Sequence, residues 1–197
     1  MGIMENTSIA ASIQQFIQDL IENKGMFTVE STEQRRIHFE FSVEYNAVRI
    51  LLLTKYCGDK VIDSKLKLAF FDFLLRYPIC LKYLLDKNDI KETFSHAELT
   101  SIDKKMVKHI SSAWDPDYYN YLGFLEARGL IEVNYKEKFE IKLTPLGDKI
   151  SEKLEFPECN SLIRRCKIIK NMFEKKTDAQ IDKVIHDNFA FVILYDR

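Results

Sequence analysis

Between residues 116 and 154 the apolar positions change period, and each change marks an element. Tyr118, Tyr121, Leu122 and Leu125 recur at helical spacing and make one stripe. Asp115-Pro116 ahead of them is a helix start, because Asp caps free N–H groups and a proline in the first turn has no N–H to lose. Arg128-Gly129 is the matching stop, a cation in the last turn followed by a residue that tolerates positive φ. Leu130, Ile131 and Val133 then read as a short strand, and residues 134–138 as a polar turn. Phe139, Ile141 and Leu143 alternate with Glu140 and Lys142, which predicts a second strand with one buried and one wet face. Thr144-Pro145 opens another helix, striped by Leu146, Ile150 and Leu154.

Helix, strand, turn, strand, helix is the order of the back half of a winged-helix domain, although any small α+β hairpin shares it. The expected fold is therefore α+β and predominantly helical. A winged-helix-like core over residues 31–156 is preceded by an extension, 1–30, and followed by C-terminal helices and an apolar tail, 157–197.

Upstream, Ile9, Ile13, Phe16, Ile17, Leu20 and Ile21 form an amphipathic helix ending near Gly25. Its apolar face buries either against the chain's own core or against a partner. Ile37, Phe39 and Phe41 fit a short strand or a helix start. A helix from Ser42 to about Cys57 turns Val43, Ala47, Ile50, Leu51 and Leu53 inward. The next, from Ser64, has Leu66, Leu68, Ala69, Phe71, Phe73, Leu74 and Leu75 and almost no polar face, so it is the middle of a core. Pro78 breaks it and seeds another through Leu81, Leu84 and Leu85, and residues 87–101 read as a surface loop. After residue 154, Leu162, Ile163, Cys166, Ile169 and Phe173 stripe one helix. Thr177 or Asp178 caps a last one, with Ile181 and Ile185 inward. Phe189, Phe191, Val192, Ile193, Leu194 and Tyr195 make a closing segment too apolar to stand free; it folds back or meets another chain.

A formal net charge of −1 argues against a chain that meets nucleic acid as a polyelectrolyte. No apolar run reaches the roughly 20 residues that span a bilayer, and no secretory signal pattern is visible. The four cysteines, Cys57, Cys80, Cys159 and Cys166, show neither zinc-finger nor CxxC spacing. The expectation is reduced thiols, a cytoplasmic location, no membrane and no metal or cofactor.

Catalytic signatures are missing. There is no glycine-rich phosphate loop, HExxH or GxSxG, and His38, His96, His109 and His186 are scattered. Asp72 and Arg76, at i and i+4 on the apolar helix, are expected to form a structural ion pair; the sharper reading turns Arg76 toward a partner or a phosphate. Trp114 is a plug beneath its helix start or an interface anchor. A winged helix reads DNA with the helix before its wing. Here that helix offers Asn120 and Arg128 but also Asp117, Glu126 and three tyrosines, and in the wing Lys136 and Lys138 are offset by Glu137. The better basic patch surrounds residues 164–176, with Arg164, Arg165, Lys167 and Lys170. Arg128, Lys136, Lys138 and these four are the candidate nucleic-acid contacts, and the bland alternative for each is a solvated face.

Three motifs occur in one order: RILLL (residues 49–53), KLKLAFFDFLLRYP followed by LKYLL (65–85), and WDPDYYNYLGFLEARGLI with IKLTPLGDKI after it (114–150). Together they resemble the middle component of ABC-three-component systems, bacterial antiphage operons that include the Lamassu type. Asp72, Phe73, Arg76, Tyr77 and Pro78 match one family motif; Trp114, Asp115, Tyr118 and Tyr119 match another. The family pattern has Gly-Pro before Trp-Asp where this chain has Ser112-Ala113. The resemblance implies a non-enzymatic subunit bridging an SMC-like ABC ATPase and an effector, often a nuclease, with DNA met indirectly or weakly. Ile13, Phe16, Ile17, Leu20, Trp114, Tyr118, Phe191 and Ile193 are then the expected protein contacts. The competing expectation is a stand-alone winged-helix regulator that binds duplex DNA through Asn120 and Arg128.

Overall fold

The computed structural model describes residues 43–100, 116–136, 138–154 and 157–193. The chain divides into two compact units, Met1–Asn46 and Ala47–Arg197. Of the first only residues 43–46 are described, as the opening turn of a helix. Apart from that turn, the elements below belong to the second unit. The fold is α+β and mostly helical, with a small three-stranded sheet and flanking helices.

Helix α1 (Val43–Tyr56) buries Ala47, Ile50, Leu51, Leu52 and Leu53. The chain then reverses through Asp59 and Lys60, whose φ angles are 54° and 74°. Left-handed backbone is strained for residues with a Cβ. Both side chains are tied down there: Lys170 pairs with Asp59 at 2.9 Å, and Lys60 donates to Asp148 at 2.7 Å. The turn lays β1 (Val61–Ile62), a strand the hydrophobic pattern does not announce, against a strand 80 residues later: Val61 faces Lys142 and Ile62 faces Ile141.

Ser64 starts α2 (Lys65–Arg76) by accepting the Lys67 N–H at 3.0 Å. Leu68, Phe70, Phe71, Phe73, Leu74 and Leu75 are all buried, as an almost wholly apolar helix requires. The Phe70 ring meets Phe173 of α7 (Pro157–Phe173) edge-on at 5.2 Å, and Phe73 meets Phe189 of α8 (Asp178–Ile193) at 5.5 Å. The core therefore sits around α2. Proline at residue 78 cannot extend the hydrogen-bond ladder and opens α3 (Pro78–Lys87).

Residues 87–101, expected as loop, contain the short helix α4 (His96–Thr100). A reciprocal cap makes it: the Ser95 N–H donates to Glu98 at 2.9 Å and the Glu98 N–H donates to the Ser95 hydroxyl at 3.2 Å. The same device starts α8, where the Thr177 N–H donates to Gln180 at 2.9 Å. Helix α8 buries Ile181, Ile185 and Phe189 and bends at Phe189.

Helix α5 (Tyr118–Ala127) begins with Asp117 in the cap position, slightly later than the sequence suggests; Asp115 lies outside the described residues. Strands β2 (Ile131–Asn134) and β3 (Glu140–Leu143) follow as an antiparallel hairpin, with Ile131 opposite Leu143 and Val133 opposite Ile141. The sheet order is β1-β3-β2. Helix α6 (Pro145–Lys153) closes the hairpin. Among the described residues no helix is long and apolar enough to cross a membrane.

Candidate functional site

The α5–β2–β3–α6 unit is locked by short contacts at the open end of the hairpin, where α5 enters and α6 leaves. Gly129 takes φ +65°, and the Leu130 N–H returns to the Leu125 carbonyl at 3.0 Å, ending α5. Arg128 folds back, its guanidinium 3.4 Å from the centre of the Phe124 ring, and donates to the Phe124 carbonyl at 3.2 Å. Across the hairpin the Thr144 hydroxyl lies 2.7 Å from the Gly129 carbonyl and accepts the Gly147 N–H at 3.0 Å. A Cβ on Gly147 would stand 1.9 Å from the Leu130 carbonyl oxygen, so only glycine permits this approach.

Beneath this unit lies a buried polar network. Arg49 on α1 grips Asp72 on α2 through two N–H groups, Nε to Oδ1 and Nη2 to Oδ2, the latter at 3.0 Å. Tyr118 on α5 donates its hydroxyl to Asp72 Oδ2 at 2.8 Å. All three side chains are buried. Burial would raise the Asp72 carboxyl, yet the Arg49 guanidinium, aided by the field of Arg76 and the Tyr118 hydroxyl, holds it below its ordinary value. Burial and the neighbouring Asp72 charge push the Tyr118 phenol well up. The expected Asp72–Arg76 pair is thus corrected. Arg76 is exposed, over the Tyr77 ring at 5.8 Å, whereas Asp72 lies on the buried face of the helix, where the buried Arg49 meets it. Tyr118, expected at a protein interface, is an interior strut.

The cations expected to meet nucleic acid are largely engaged within the fold. Arg165 is buried and donates to the Leu75 carbonyl at 2.7 Å, which removes it from any surface patch. Arg164 donates to the Thr93 carbonyl at 2.6 Å, pairs with Glu98 at 3.2 Å and lies over Phe94. Lys170 holds Asp59, and Lys138 holds Asp63 at 3.0 Å. Lys67 and Lys138 together lower the Asp63 carboxyl against the opposing effect of its burial. Lys167 is exposed, 5.5 Å from the Tyr56 ring centre. Lys136 is exposed on the hairpin turn, its backbone N–H held by Asn134.

Tyr119 and Tyr135, which hydrophobic periodicity does not single out, come together with Phe139 where the hairpin turn passes the first turn of α5. Tyr119 and Tyr135 are each 47% exposed. Their ring centres are 6.2 Å apart, and Phe139 lies 6.0 Å from Tyr135. Lys65, at the start of α2, reaches over Tyr119 at 5.5 Å and Phe139 at 5.7 Å and donates to the Tyr119 hydroxyl at 3.1 Å. In the sequence the signals were Tyr119 within the Trp-Asp motif and Phe139 at the start of the alternating strand; Tyr135 had none.

Other expected contacts lie elsewhere. Ile13, Phe16, Ile17, Leu20 and Trp114 fall outside the described residues; Phe191 and Ile193 lie in the last turn of α8, with their side chains outside the description. His186 is exposed beside Asp182. All four cysteines are buried and none is in a disulfide. Among the described residues no group of three or more His, Cys, Asp or Glu is placed to hold a metal. Comparison with protein-family models, with curated proteins and with solved structures found no match to this chain.

Proposed function

We propose that this chain is a non-catalytic, cytoplasmic accessory subunit built on a winged-helix core, bridging an SMC-like ABC ATPase and an effector in a bacterial defence complex. The winged-helix reading rests on topology: α1, β1 and α2 precede, α5 leads into the β2–β3 wing, and β3 lies between β1 and β2. The assignment to a defence complex rests on the motif resemblance, part of whose residues are described. Asp72 and Tyr118 meet in the interior, Arg76 and Tyr119 face outward, and Pro78 breaks the helix.

One observation carries the choice of protein over duplex DNA as the outward partner. The helix and hairpin that would face a DNA groove show exposed tyrosines, while of their cations Arg128 and Lys138 are engaged by Phe124 and Asp63, leaving Lys136 exposed on the turn. A groove reader needs free guanidinium and ammonium groups there, and aromatic rings without excess charge suit protein interfaces. The regulator reading keeps support from the same topology and from Asn120, which is exposed on α5.

The test is affinity capture of the tagged full chain from its native cell, with partners identified by mass spectrometry. Recovery of a long coiled-coil ATPase in stoichiometric amount is expected. Recovery of the chain with itself and DNA alone contradicts the proposal and favours the regulator.

A further inference from the structure

The aromatic cluster at the helix–hairpin junction is electrically lopsided. Lys65 covers Tyr119 and Phe139. Tyr135 meets both of these rings and lies two residues beyond Val133, whose N–H places Glu126 on this side of the hairpin; burial first, and then the Glu126 charge, raise the Tyr135 phenol. Glu126 is exposed, with one oxygen accepting the Val133 N–H at 3.3 Å. The face of a tyrosine ring attracts a cation, and a carboxylate beside it adds a charged hydrogen-bond acceptor. Lys65 shows this chemistry already in use within the fold. Planar guanidinium suits such a position best, since it stacks on a ring and forks onto a carboxylate at once.

We propose that Tyr119, Tyr135 and Phe139 form a docking shelf for a protein partner, and that the docking segment carries an arginine that lies over Tyr135 and pairs with Glu126. This rests on the reading of the chain as a partner-binding subunit and adds where, and by which side chain, the partner is held.

The test titrates the full chain with capped tri-arginine peptide, following tyrosine ring signals by NMR, with tri-glutamate peptide and short oligothymidylate as competing probes. Tri-arginine is expected to shift the Tyr135 and Tyr119 rings. Affinity should fall about threefold or more in Glu126→Gln and in Tyr135→Leu, and should persist in Tyr135→Phe, which keeps the ring face. Ring shifts with tri-glutamate or oligothymidylate instead would make the shelf an anion or nucleic-acid site and overturn the proposal. So would equal tri-arginine binding by Tyr135→Leu. Capture of the coiled-coil ATPase by Glu126→Gln and Tyr135→Leu at wild-type yield would refute the shelf and leave the bridging role standing. Peptide binding as expected with no ATPase captured by the wild type would do the reverse.

Discussion

Arg49 and Asp72, 23 positions apart in the chain, are locked together in the interior through two hydrogen bonds. The Tyr118 hydroxyl on the same carboxylate ties α5, the helix that leads into the hairpin, to the junction of α1 and α2. Removing one partner of a buried ion pair strands the other charge, which costs about 3–5 kcal/mol. Asp72→Ala and Arg49→Met should each lower stability on that scale in urea unfolding. The double variant Arg49→Met/Asp72→Leu should lose less than the sum. Arg76→Ala, if Arg49 is the true partner, should cost no more than about 1 kcal/mol. A larger loss in Arg76→Ala than in Arg49→Met would contradict the assignment.

Tyr118→Phe keeps the ring and removes one charged hydrogen bond. The expected loss is about 1.5–3 kcal/mol, read from the same unfolding curves. An unchanged midpoint would mean that the hydroxyl does not reach the carboxylate in solution.

The Asp72 carboxyl is held below its unfolded value, so folding releases its proton more readily. Its contribution is complete above the unfolded value of about 3.9 and is lost as pH falls through the lower folded value. Wild-type stability should therefore decline more steeply below about pH 4 than that of Asp72→Asn, which has no proton to take up. Parallel acid slopes for the two proteins would contradict a depressed carboxyl at this position.

Two glycines should respond in opposite directions to alanine. Gly147→Ala drives a methyl into the Leu130 carbonyl and should cost at least about 1–3 kcal/mol by overpacking. Gly123→Ala, in the exposed middle of α5 with nothing within 4 Å of the added carbon, should gain about 0.5–1 kcal/mol. Thermal midpoints of the two variants against the wild type read both signs.

The thiols should be inert in the folded chain. Burial pushes Cys80 up to about 11 and Cys166 up to about 12, and raises Cys57 well above its ordinary value. Since the thiolate is the reactive form, a thiol reagent at neutral pH should label the native protein only as fast as it opens, and all four positions rapidly in denaturant. A burst of one labelled thiol under native conditions would point to an accessible site.

Local signals made much of this fold legible. Ser64, Thr144-Pro145 and Pro78 act on their own neighbours, and the helices they start lie where the sequence puts them. Strand β1 escaped because two residues carry no period and its position is set by β3, far along the chain. Helix α4 escaped because it has no apolar stripe, although its Ser95-to-Glu98 cap is written in the sequence. The partner of Asp72 was misread because spacing favours the near cation. The better signal was Arg49 within VRILLL, a charge in a run that must be buried and so needs a distant carboxylate. Arg165 stands in a basic run yet faces inward, since composition says nothing about which member of a run turns to the core. The aromatic shelf joins the first turn of α5 to the hairpin turn, and no period links Tyr119 to Tyr135.

We propose that this module's outward business is with protein, because Arg164, Arg165 and Lys170 are engaged within the fold and Arg128 and Lys138 hold partners at its surface. The most direct measurement is a duplex-DNA titration of the isolated full chain, from low to physiological salt. The account predicts weak binding without sequence preference, with log K falling against log salt at a slope no steeper than about −2. Tight, sequence-specific binding with a steep salt slope, abolished by Asn120→Ala or Arg128→Ala, would contradict it.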